Sequence, residues 1–219
     1  MKDKQNETFF RTEADNYYKR NKNDLLSLTA EKDVPLRILD LYKIVPKKVL
    51  EIGCMNGYRL NFIKKKYNAE CIGVEPSKEA VDEGNKLFKD IKLIRGIFSD
   101  IPLNEKFDLI IINFVFHWVD RDLLAKCVSE VERMLSYNGF LIIGDFFPDH
   151  PRKNEYTHLL GNQIWTYKQD YSKIFLSLEN YSLIALLTSS FKVHDFFFEP
   201  DDNERKSYTL LWKREKKNN

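Results

Sequence analysis

The segment over residues 48–58 constrains the fold more than any other part of the chain. Its first half, Lys-Val-Leu-Glu-Ile, is a short, mostly apolar run that suits a buried strand. A turn that holds Gly53 and Gly57 follows, and residues 58–67 then have the spacing of an amphipathic helix. A strand, a glycine turn and a helix in this order bring backbone N–H groups close to a ligand in many α/β proteins. The segment predicts either such a ligand-binding turn or an ordinary glycine turn after a buried strand.

The chain alternates strand-like and helix-like patterns as far as residue 145. We predict strands over 49–53, 70–75, 91–96, 107–114 and 140–144. We predict a helix that contains residues 36–41 and runs up to Pro46, and further helices over 58–67, 77–88 and 121–135. The strand segments are continuous apolar runs, which are typical of a parallel sheet covered on both faces. Further on, 170–187 has helical spacing, and 191–198 and 207–212 predict two late strands that can pair antiparallel across a short polar link.

Composition restricts the class of protein. A chain of 219 residues that is 43% hydrophobic and 31% charged is long enough for one sizeable domain. Its formal net charge of +2 is too small to indicate a nucleic-acid surface. The amino-terminal residues lack the apolar core of a signal peptide, and no apolar run approaches the ~20 residues that cross a bilayer. Three cysteines without paired spacing favour reduced thiols, a cytoplasmic location and no metal site.

We expect three regions along the chain. Residues 1–45 are predicted to form an amino-terminal helical extension that covers a pocket, with a partly disordered tail as the alternative for residues 1–20. Residues 46–214 form the main domain, in which 147–169 is an insert on the substrate side, and 215–219 is a basic tail. Aromatic residues cluster over 9–18, 114–118 and 156–175, which indicates a lined pocket.

Three features fall at the carboxyl ends of successive predicted strands. They are the turn over 53–57, Glu75 after the second strand and Asp100 after the third. Together they resemble the class I S-adenosylmethionine-dependent methyltransferases over roughly residues 48–212, and more narrowly the small-molecule branch called type 11. The resemblance implies an α/β fold: a Rossmann-like, seven-stranded, mostly parallel sheet with helices on both faces and a closing antiparallel strand pair. It also implies S-adenosyl-L-methionine as the cofactor and S-adenosyl-L-homocysteine as its product.

The resemblance assigns the cofactor contacts to these strand ends. Glycines let the turn approach the methionine and ribose portions, because no Cβ stands in the way. Glu75 can accept both ribose hydroxyls, and Asp100 can accept from the adenine amino group. The buried acid Glu51 either orients the turn or the cofactor's amino group, or is a structural acid. The predicted cofactor-binding residues are Glu51, Gly53, Cys54, Met55, Gly57, Glu75, Pro76, Ser99, Asp100, Ile101, Asn113 and Phe114.

Two of these residues also have plainer interpretations, and one departs from the family pattern. Glu75 can be a solvated acid at a strand end, and Asp100 can cap a turn. Met55 stands where the family commonly has a third glycine. A side chain at that position must point away from the cofactor. We therefore expect that the backbone at Met55 does not require a positive φ angle unless it is strained.

Residues 113–118 follow the fourth strand, which in this family lies beside the methionine end of the cofactor. His117 can serve as a general base toward a hydroxyl or an amine, since imidazole titrates near neutral pH, or it can be a structural histidine among aromatic rings. Methyl transfer is an in-line displacement on an activated carbon, so positioning alone can supply much of the catalysis. The predicted acceptor is an oxygen or nitrogen of a small molecule, with a sugar or polysaccharide precursor as the narrower expectation. The candidate substrate-binding residues are Tyr17, Tyr18, Arg20, Phe116, Trp118 and Tyr167.

Other functions remain open at this point. A nicotinamide-dependent oxidoreductase of Rossmann type also has a glycine turn and a strand-end acid, but the turn here lacks the G-x-G-x-x-G spacing. A second alternative is a protein that binds S-adenosylmethionine without catalysis. A nucleic-acid or protein methyltransferase is disfavoured, because no recognition domain and no Asn-Pro-Pro-Tyr motif is present. We expect a small-molecule substrate, no nucleic-acid or membrane partner, and a monomer or homodimer.

Overall fold

A computed structural model describes residues 4–26, 28–189, 196–198 and 204–215. Its strands are β1 Lys48–Ile52, β2 Glu70–Glu75, β3 Lys92–Arg95, β4 Phe107–Asn113, β5 Leu135–Phe146, β6 Arg152–Glu155, β7 Trp165–Lys168, β8 Tyr181–Ser189 and β9 Lys206–Lys213. Its α-helices are α1 Lys4–Thr8, α2 Ala14–Leu26, α3 Val34–Leu41, α4 Tyr58–Tyr67, α5 Lys78–Leu87, α6 Leu124–Met134 and α7 Ser172–Leu176. A π-helical turn at Phe9–Glu13 joins α1 to α2, and short 3₁₀ turns cover Phe116–Trp118, Arg121–Leu123 and Thr157–Leu159.

Seven of the described strands form one sheet in the order β3-β2-β1-β4-β5-β9-β8. The pairs from β3 to β5 are parallel, whereas β9 runs antiparallel to both β5 and β8. The predicted fold class, a Rossmann-like sheet closed by an antiparallel pair, is confirmed. The strand order reverses direction between β1 and β4, and in open α/β sheets ligands bind outside the carboxyl ends of the strands at such a point.

The central strands are buried on both faces, which explains their uninterrupted apolar sequence. Val49 of β1 packs with α3, α4 and α5 on one face, whereas Leu50 and Ile52 pack with α6 and α7 on the other. In β4, residues 109–112 are all inaccessible to solvent. Each face therefore holds its own apolar cluster, and the sheet between them is rigid enough to position side chains at its edge.

Local sequence signals set two of the helix boundaries as predicted. The Ser77 hydroxyl accepts a hydrogen bond from the Ala80 N–H at 3.1 Å and caps α5. A cap of this kind stabilises a helix by about 1 kcal/mol. Three lysines, Lys64, Lys65 and Lys66, lie in the last turn of α4, where positive charge is favourable to the helix dipole.

The predicted helix over 170–187 is wrong for most of its length. Helix α7 ends at Leu176, the chain turns through Glu179 with a φ of 61°, and Tyr181–Ser189 is the strand β8. The pairing register with β9 shifts between Leu183 and Ala185, so a bulge interrupts the alternation that marks a strand. Exposed leucine and isoleucine side chains on this edge strand also mimic helical spacing.

The two predicted late strands have different outcomes. The strand over 207–212 is confirmed and extends to Lys206–Lys213 as β9. Most of the predicted strand over 191–198 lies outside the described residues. Its end forms an isolated antiparallel bridge between Ser189 and Phe196. The partner of β9 is therefore β8.

The insert lies outside the main sheet. The insert over 147–169 contains the antiparallel pair β6 and β7, which forms a small sheet separate from the main one. Across the described part of the chain, no helix combines the length and the apolar character needed to cross a membrane.

Candidate active site

A cavity of about 460 Å³ opens at the carboxyl ends of β1, β2 and β4, at the point where the strand order reverses. The strand ends form its floor, and the amino-terminal helices together with the segment after β4 form its walls. Lining residues from the strand ends are Glu51, Gly53, Cys54, Met55, Glu75, Pro76, Gly96, Ile97, Phe98, Asn113, Phe114 and Val115. Lining residues from the walls include Asn6, Phe9, Tyr17, Asn21, Asp24, His117, Trp118 and Phe146.

The turn after β1 requires glycine at its first position. Gly53 has a φ of 73°, and a Cβ added there would lie 2.3 Å from Cγ2 of Val115. Gly57, with a φ of 78°, caps the start of α4 in the left-handed region. Both positions combine a conformation that glycine adopts readily with close neighbours. The turn is therefore held tightly against the cavity.

Met55 adopts the strained alternative for this turn. Its φ is 53°, in the left-handed region that side chains adopt at a cost of about 1–2 kcal/mol. The backbone N–H of Met55 donates to Oε2 of Glu75 at 2.9 Å. This hydrogen bond stabilises the conformation, and a turn with methionine therefore keeps the left-handed geometry that glycine would adopt without strain.

Glu75 lies at the end of β2 and is almost fully buried. Its Oε2 accepts from the Met55 N–H, and its Oε1 accepts from the Ser77 N–H at 3.0 Å. Burial raises the pKa of Glu75 to about 7, although the two backbone donors oppose that shift. Each carboxylate oxygen has a second lone pair, so Glu75 can still accept two hydrogen bonds from a ligand in the cavity.

Glu51 belongs to a buried ion network beneath the turn. Arg59 donates from Nη1 to Oε1 of Glu51 and from Nε to both carboxylate oxygens of Asp33, at 3.0 Å each. Two carboxylates thus share one guanidinium, so the fully ionised trio carries one net negative charge. Burial raises the pKa of Glu51 to about 7. Oε2 of Glu51 is buried and has no hydrogen-bond partner, an arrangement that is costly unless a ligand donates to it.

His117 and Asp145 form a buried pair on the far wall. Nδ1 of His117 lies 2.9 Å from Oδ1 of Asp145, and the His117 backbone N–H donates to Oδ2 at 3.2 Å. The carboxylate accepts from Nδ1–H, so Nε2 is the ring nitrogen that can take up a proton. Both side chains are at most 5% exposed, and His117 lines the cavity. The geometry is that of a base oriented by an acid.

Asp145 was not among the predicted site residues. It occupies the carboxyl end of β5 directly after Gly144, as Glu75 occupies the end of β2. An acid that closes a buried strand was thus a signal present in the sequence. Arg59 and Asp33 were missed for a different reason, because their contact joins α4 to the start of α3 and follows no local pattern.

The predicted site residues separate into two sets. Those on the cavity are Glu51, Gly53, Cys54, Met55, Glu75, Pro76, Asn113, Phe114, His117, Trp118 and Tyr17. Those placed off its lining are Gly57, Ser99, Asp100, Ile101, Tyr18, Arg20, Phe116 and Tyr167. Asp100 is exposed, and residues 96–98 take its place on the wall. Phe116 points into the core and stacks on Tyr171 with 4.9 Å between ring centroids.

The amino-terminal helices cover the cavity and are attached on two sides. Gln5 is buried and donates to the backbone oxygens of Trp118 at 2.6 Å and Trp165 at 2.8 Å. On the other side, Asp15 accepts from the Ser77 hydroxyl at 2.6 Å and from the Glu79 N–H at 3.0 Å. These contacts connect the cover to both β7 and α5.

Comparison with known proteins gives a family for part of the chain. Residues 50–143 match a family model, Methyltransf_11, described as a methyltransferase domain. A malonyl-[acyl-carrier protein] O-methyltransferase from Halalkalibacterium halodurans is 28% identical over 112 residues, which are 48% of this chain and 41% of that protein. The chain spans between 41% and 65% of the length of the first curated relatives that it matches.

Solved structures show the same fold. A TehB-like S-adenosylmethionine-dependent methyltransferase from Corynebacterium glutamicum has a TM-score of 0.64 at 18% identity, with 92% of this chain and 98% of that one covered. A 1,6-didemethyltoxoflavin-N1-methyltransferase from Burkholderia thailandensis has a TM-score of 0.67 at 13% identity, with 90% and 84% covered. Residues 50–143 are therefore identified as a methyltransferase domain of the type 11 kind, and the fold is the one seen in solved S-adenosylmethionine-dependent methyltransferases.

Proposed function

We propose that the protein transfers a methyl group from S-adenosyl-L-methionine to an oxygen or nitrogen atom of a small molecule. One observation supports this proposal above all. Two buried carboxylates, Glu51 and Glu75, face one cavity from the ends of adjacent strands, and both keep acceptor capacity that no protein group uses. The cofactor supplies hydroxyl and ammonium donors and a methyl group activated by a sulfonium.

The residues present fit this cofactor. Glu75 would hold the ribose hydroxyls through the second lone pairs of its two oxygens. Glu51 would accept from the ammonium group through the Oε2 that lacks a partner. The net negative charge of Glu51, Asp33 and Arg59 favours a cationic ligand over an anionic one. Gly53 allows the backbone to approach the ligand closely.

His117 would act on the acceptor. Its Nε2 can accept a proton from a hydroxyl or amine in the cavity, and Asp145 would stabilise the imidazolium that results. The walls contributed by Phe9, Tyr17 and Trp118 would exclude water and hold the acceptor in place. The cavity thus has separate groups for the cofactor and for the acceptor.

Calorimetric titration of the full chain tests the proposal. S-adenosylhomocysteine is expected to bind with a stoichiometry of one, and NAD is expected not to bind at the same concentrations. Binding of NAD alone would contradict the proposal and support the oxidoreductase alternative. Binding of S-adenosylhomocysteine without turnover of any small molecule would support a non-catalytic binding protein instead.

A further inference from the structure

We infer that the methyl acceptor is an uncharged aromatic or heteroaromatic small molecule that carries an O–H or N–H group. This inference rests on the proposed function and concerns one part of the cavity. We call this part the acceptor end and define it by Phe9, Tyr17, Phe114, His117, Trp118 and Phe146.

Aromatic rings form several walls of the acceptor end. Phe9 lies 4.9 Å from Trp118 between ring centroids, and His117 lies 4.7 Å from Trp118 on another side. The Phe146 ring follows at 4.9 Å from His117. This continuous aromatic surface lies beside the base proposed for the reaction, so the reacting atom of a bound ring would lie near Nε2 of His117.

Two of the ring pairs at the acceptor end meet at steep angles, whereas Trp118 is tilted by 48° against Phe9 and by 42° against His117. The planes of His117 and Phe146 are 86° apart, and those of Tyr17 and Trp118 are 77° apart. Rings oriented in this way present a face on one side and an edge on another. A flat aromatic ligand can then stack on one ring and meet the edge of the next, the two arrangements that aromatic pairs prefer. The wall geometry thus favours a planar ligand.

The charges on the cavity lining disfavour an anionic acceptor. Among the described lining residues, the acids are Asp24, Glu51 and Glu75, and the lysine and arginine side chains are represented by Arg59 alone. The Arg59 guanidinium is bound by Asp33 and Glu51 beneath the glycine turn. The residues that define the acceptor end include no lysine or arginine that could pair with a carboxylate or phosphate, and the acids elsewhere on the lining oppose an anion through the field of the cavity.

Among the described residues, three cations lie close to rings of the acceptor end: Lys206, 5.9 Å from the centre of the Phe114 ring and off the cavity lining, and two that carboxylates hold away from the cavity. Arg20, six ångströms from the Tyr17 ring, donates from Nη2 to Glu13 at 2.5 Å and to the Tyr156 hydroxyl at 2.6 Å. Lys168 lies 4.1 Å from the centre of the Phe146 ring, and its Nζ donates to Glu204. Neither side chain is on the cavity lining. Both therefore stabilise the walls.

The same wall disfavours a sugar. Each hydroxyl that a sugar buries needs a hydrogen-bond partner, and an unpaired one costs binding free energy. Ring faces and edges make up most of the acceptor end, where His117, Tyr17 and the indole N–H of Trp118 supply the side-chain polar atoms. The narrower expectation of a sugar precursor therefore finds little support in these side chains.

A panel of matched acceptors tests the inference after S-adenosylhomocysteine binding has been measured. Catechol and 2-naphthol are the uncharged probes, 3,4-dihydroxybenzoate and 6-hydroxy-2-naphthoate are their carboxylated counterparts, and glucose and UDP-glucose represent sugars. Turnover of each probe is measured as the formation of S-adenosylhomocysteine from S-adenosyl-L-methionine. Binding of each probe is measured by calorimetric titration of protein that is loaded with S-adenosylhomocysteine. We expect each uncharged aromatic probe to bind at least about tenfold more tightly than its carboxylated counterpart.

Three results would overturn the inference while the proposed function stands. They are preferential turnover of the carboxylated probes, preferential turnover of the sugars, and no binding of any uncharged aromatic probe to protein that binds S-adenosylhomocysteine. Failure to bind S-adenosylhomocysteine at all would contradict the proposed function itself.

A matched pair of variants tests whether the aromatic probes bind against the Trp118 ring. Trp118→Leu is expected to lower the affinity for the uncharged probes about tenfold. Its affinity for S-adenosylhomocysteine should stay within about twofold of the wild-type value. Trp212→Leu is the control, because Trp212 lies on β9, where it pairs with Phe140 of β5, and does not line the cavity. Equal probe affinity in both variants would contradict the placement of the acceptor against Trp118.

Discussion

The backbone N–H of Met55 donates to Oε2 of Glu75 over 2.9 Å and thereby connects the turn after β1 to the end of β2. The two elements are 20 residues apart in sequence, and the contact adds to the β1–β2 pairing and to the Ser77 N–H that donates to Oε1 of Glu75. It holds Met55 at a positive φ and directs the Glu75 carboxylate toward the cavity. A change that removes this hydrogen bond should therefore affect the cofactor site, whereas a side-chain change at Met55 that retains the N–H should not.

Replacement of Glu75 is expected to weaken cofactor binding strongly. Glu75→Ala removes two acceptors for ligand hydroxyls and leaves the N–H groups of Met55 and Ser77 without their partner. Hydrogen bonds to a charged group contribute about 1.5–3 kcal/mol each, so affinity for S-adenosylhomocysteine should fall roughly 100-fold or more. Calorimetric titration measures the change. Glu79→Ala, on the exposed side of α5, is the control, and an unchanged affinity in Glu75→Ala would remove Glu75 from the proposed ribose contact.

The stability of the ligand-free protein should depend on pH in an unusual direction. Burial raises the pKa of both Glu51 and Glu75 to about 7, above the 4.5 of the unfolded chain. Between these values the folded state holds protons that the unfolded state has lost. The unfolding free energy therefore decreases as pH rises, by roughly 1 kcal/mol per pH unit for each group. Above about pH 7 both states are ionised and this contribution becomes constant.

Urea unfolding of wild type and Glu75→Gln across this pH range isolates the effect. Surface acids contribute equally to the unfolding free energies of the two proteins, so their contribution cancels in the difference. The unfolding free energy of wild type should fall more steeply as pH rises. Because the ionised carboxylates are the acceptors, S-adenosylhomocysteine affinity should rise over the same interval. A wild-type protein that gains stability relative to Glu75→Gln as pH rises would contradict the prediction.

The sheet was predictable from sequence because its central strands are buried on both faces. A residue such as Ile111 has apolar neighbours on each side of it along the chain, and no helix on the surface of a domain produces that pattern. The edge strand β8 was missed because one face meets solvent and a bulge near Ile184 breaks its alternation. The strand signal is weakest where burial is weakest.

The strand-end residues of the cavity were more predictable than its aromatic wall. Glu75 follows a buried strand, so its position at the sheet edge is a consequence of topology. Phe116, His117 and Trp118 occupy one 3₁₀ turn, in which successive side chains point about 120° apart. Their order in sequence does not say which of the three enters the core, and the structure places Phe116 there.

Relief of the strain at Met55 should stabilise the protein. Met55→Gly replaces a left-handed methionine by the residue that adopts this conformation readily, and we expect a gain of about 0.5–1 kcal/mol in unfolding free energy. The N–H that reaches Glu75 is retained, so S-adenosylhomocysteine affinity should remain within about twofold. Met55→Ala keeps the strain and is the control. Destabilisation by glycine relative to alanine would show that the positive φ carries no strain.

Asp145 should act on turnover through the orientation of His117. Asp145→Asn places an amide opposite Nδ1, which then favours the tautomer with the proton on Nε2, where a base needs a lone pair. We expect the turnover number of Asp145→Asn to fall roughly 10–100-fold, with cofactor affinity unchanged. The turnover number of His117→Ala should fall roughly 100-fold or more. The pH profile of turnover, measured with an acceptor from the aromatic panel, distinguishes this role from a structural one, since a structural role would leave its midpoint in place. Asp122→Asn, an exposed acid near the start of α6, is the control. Wild-type turnover at every pH in Asp145→Asn and His117→Ala would show that positioning alone drives the transfer.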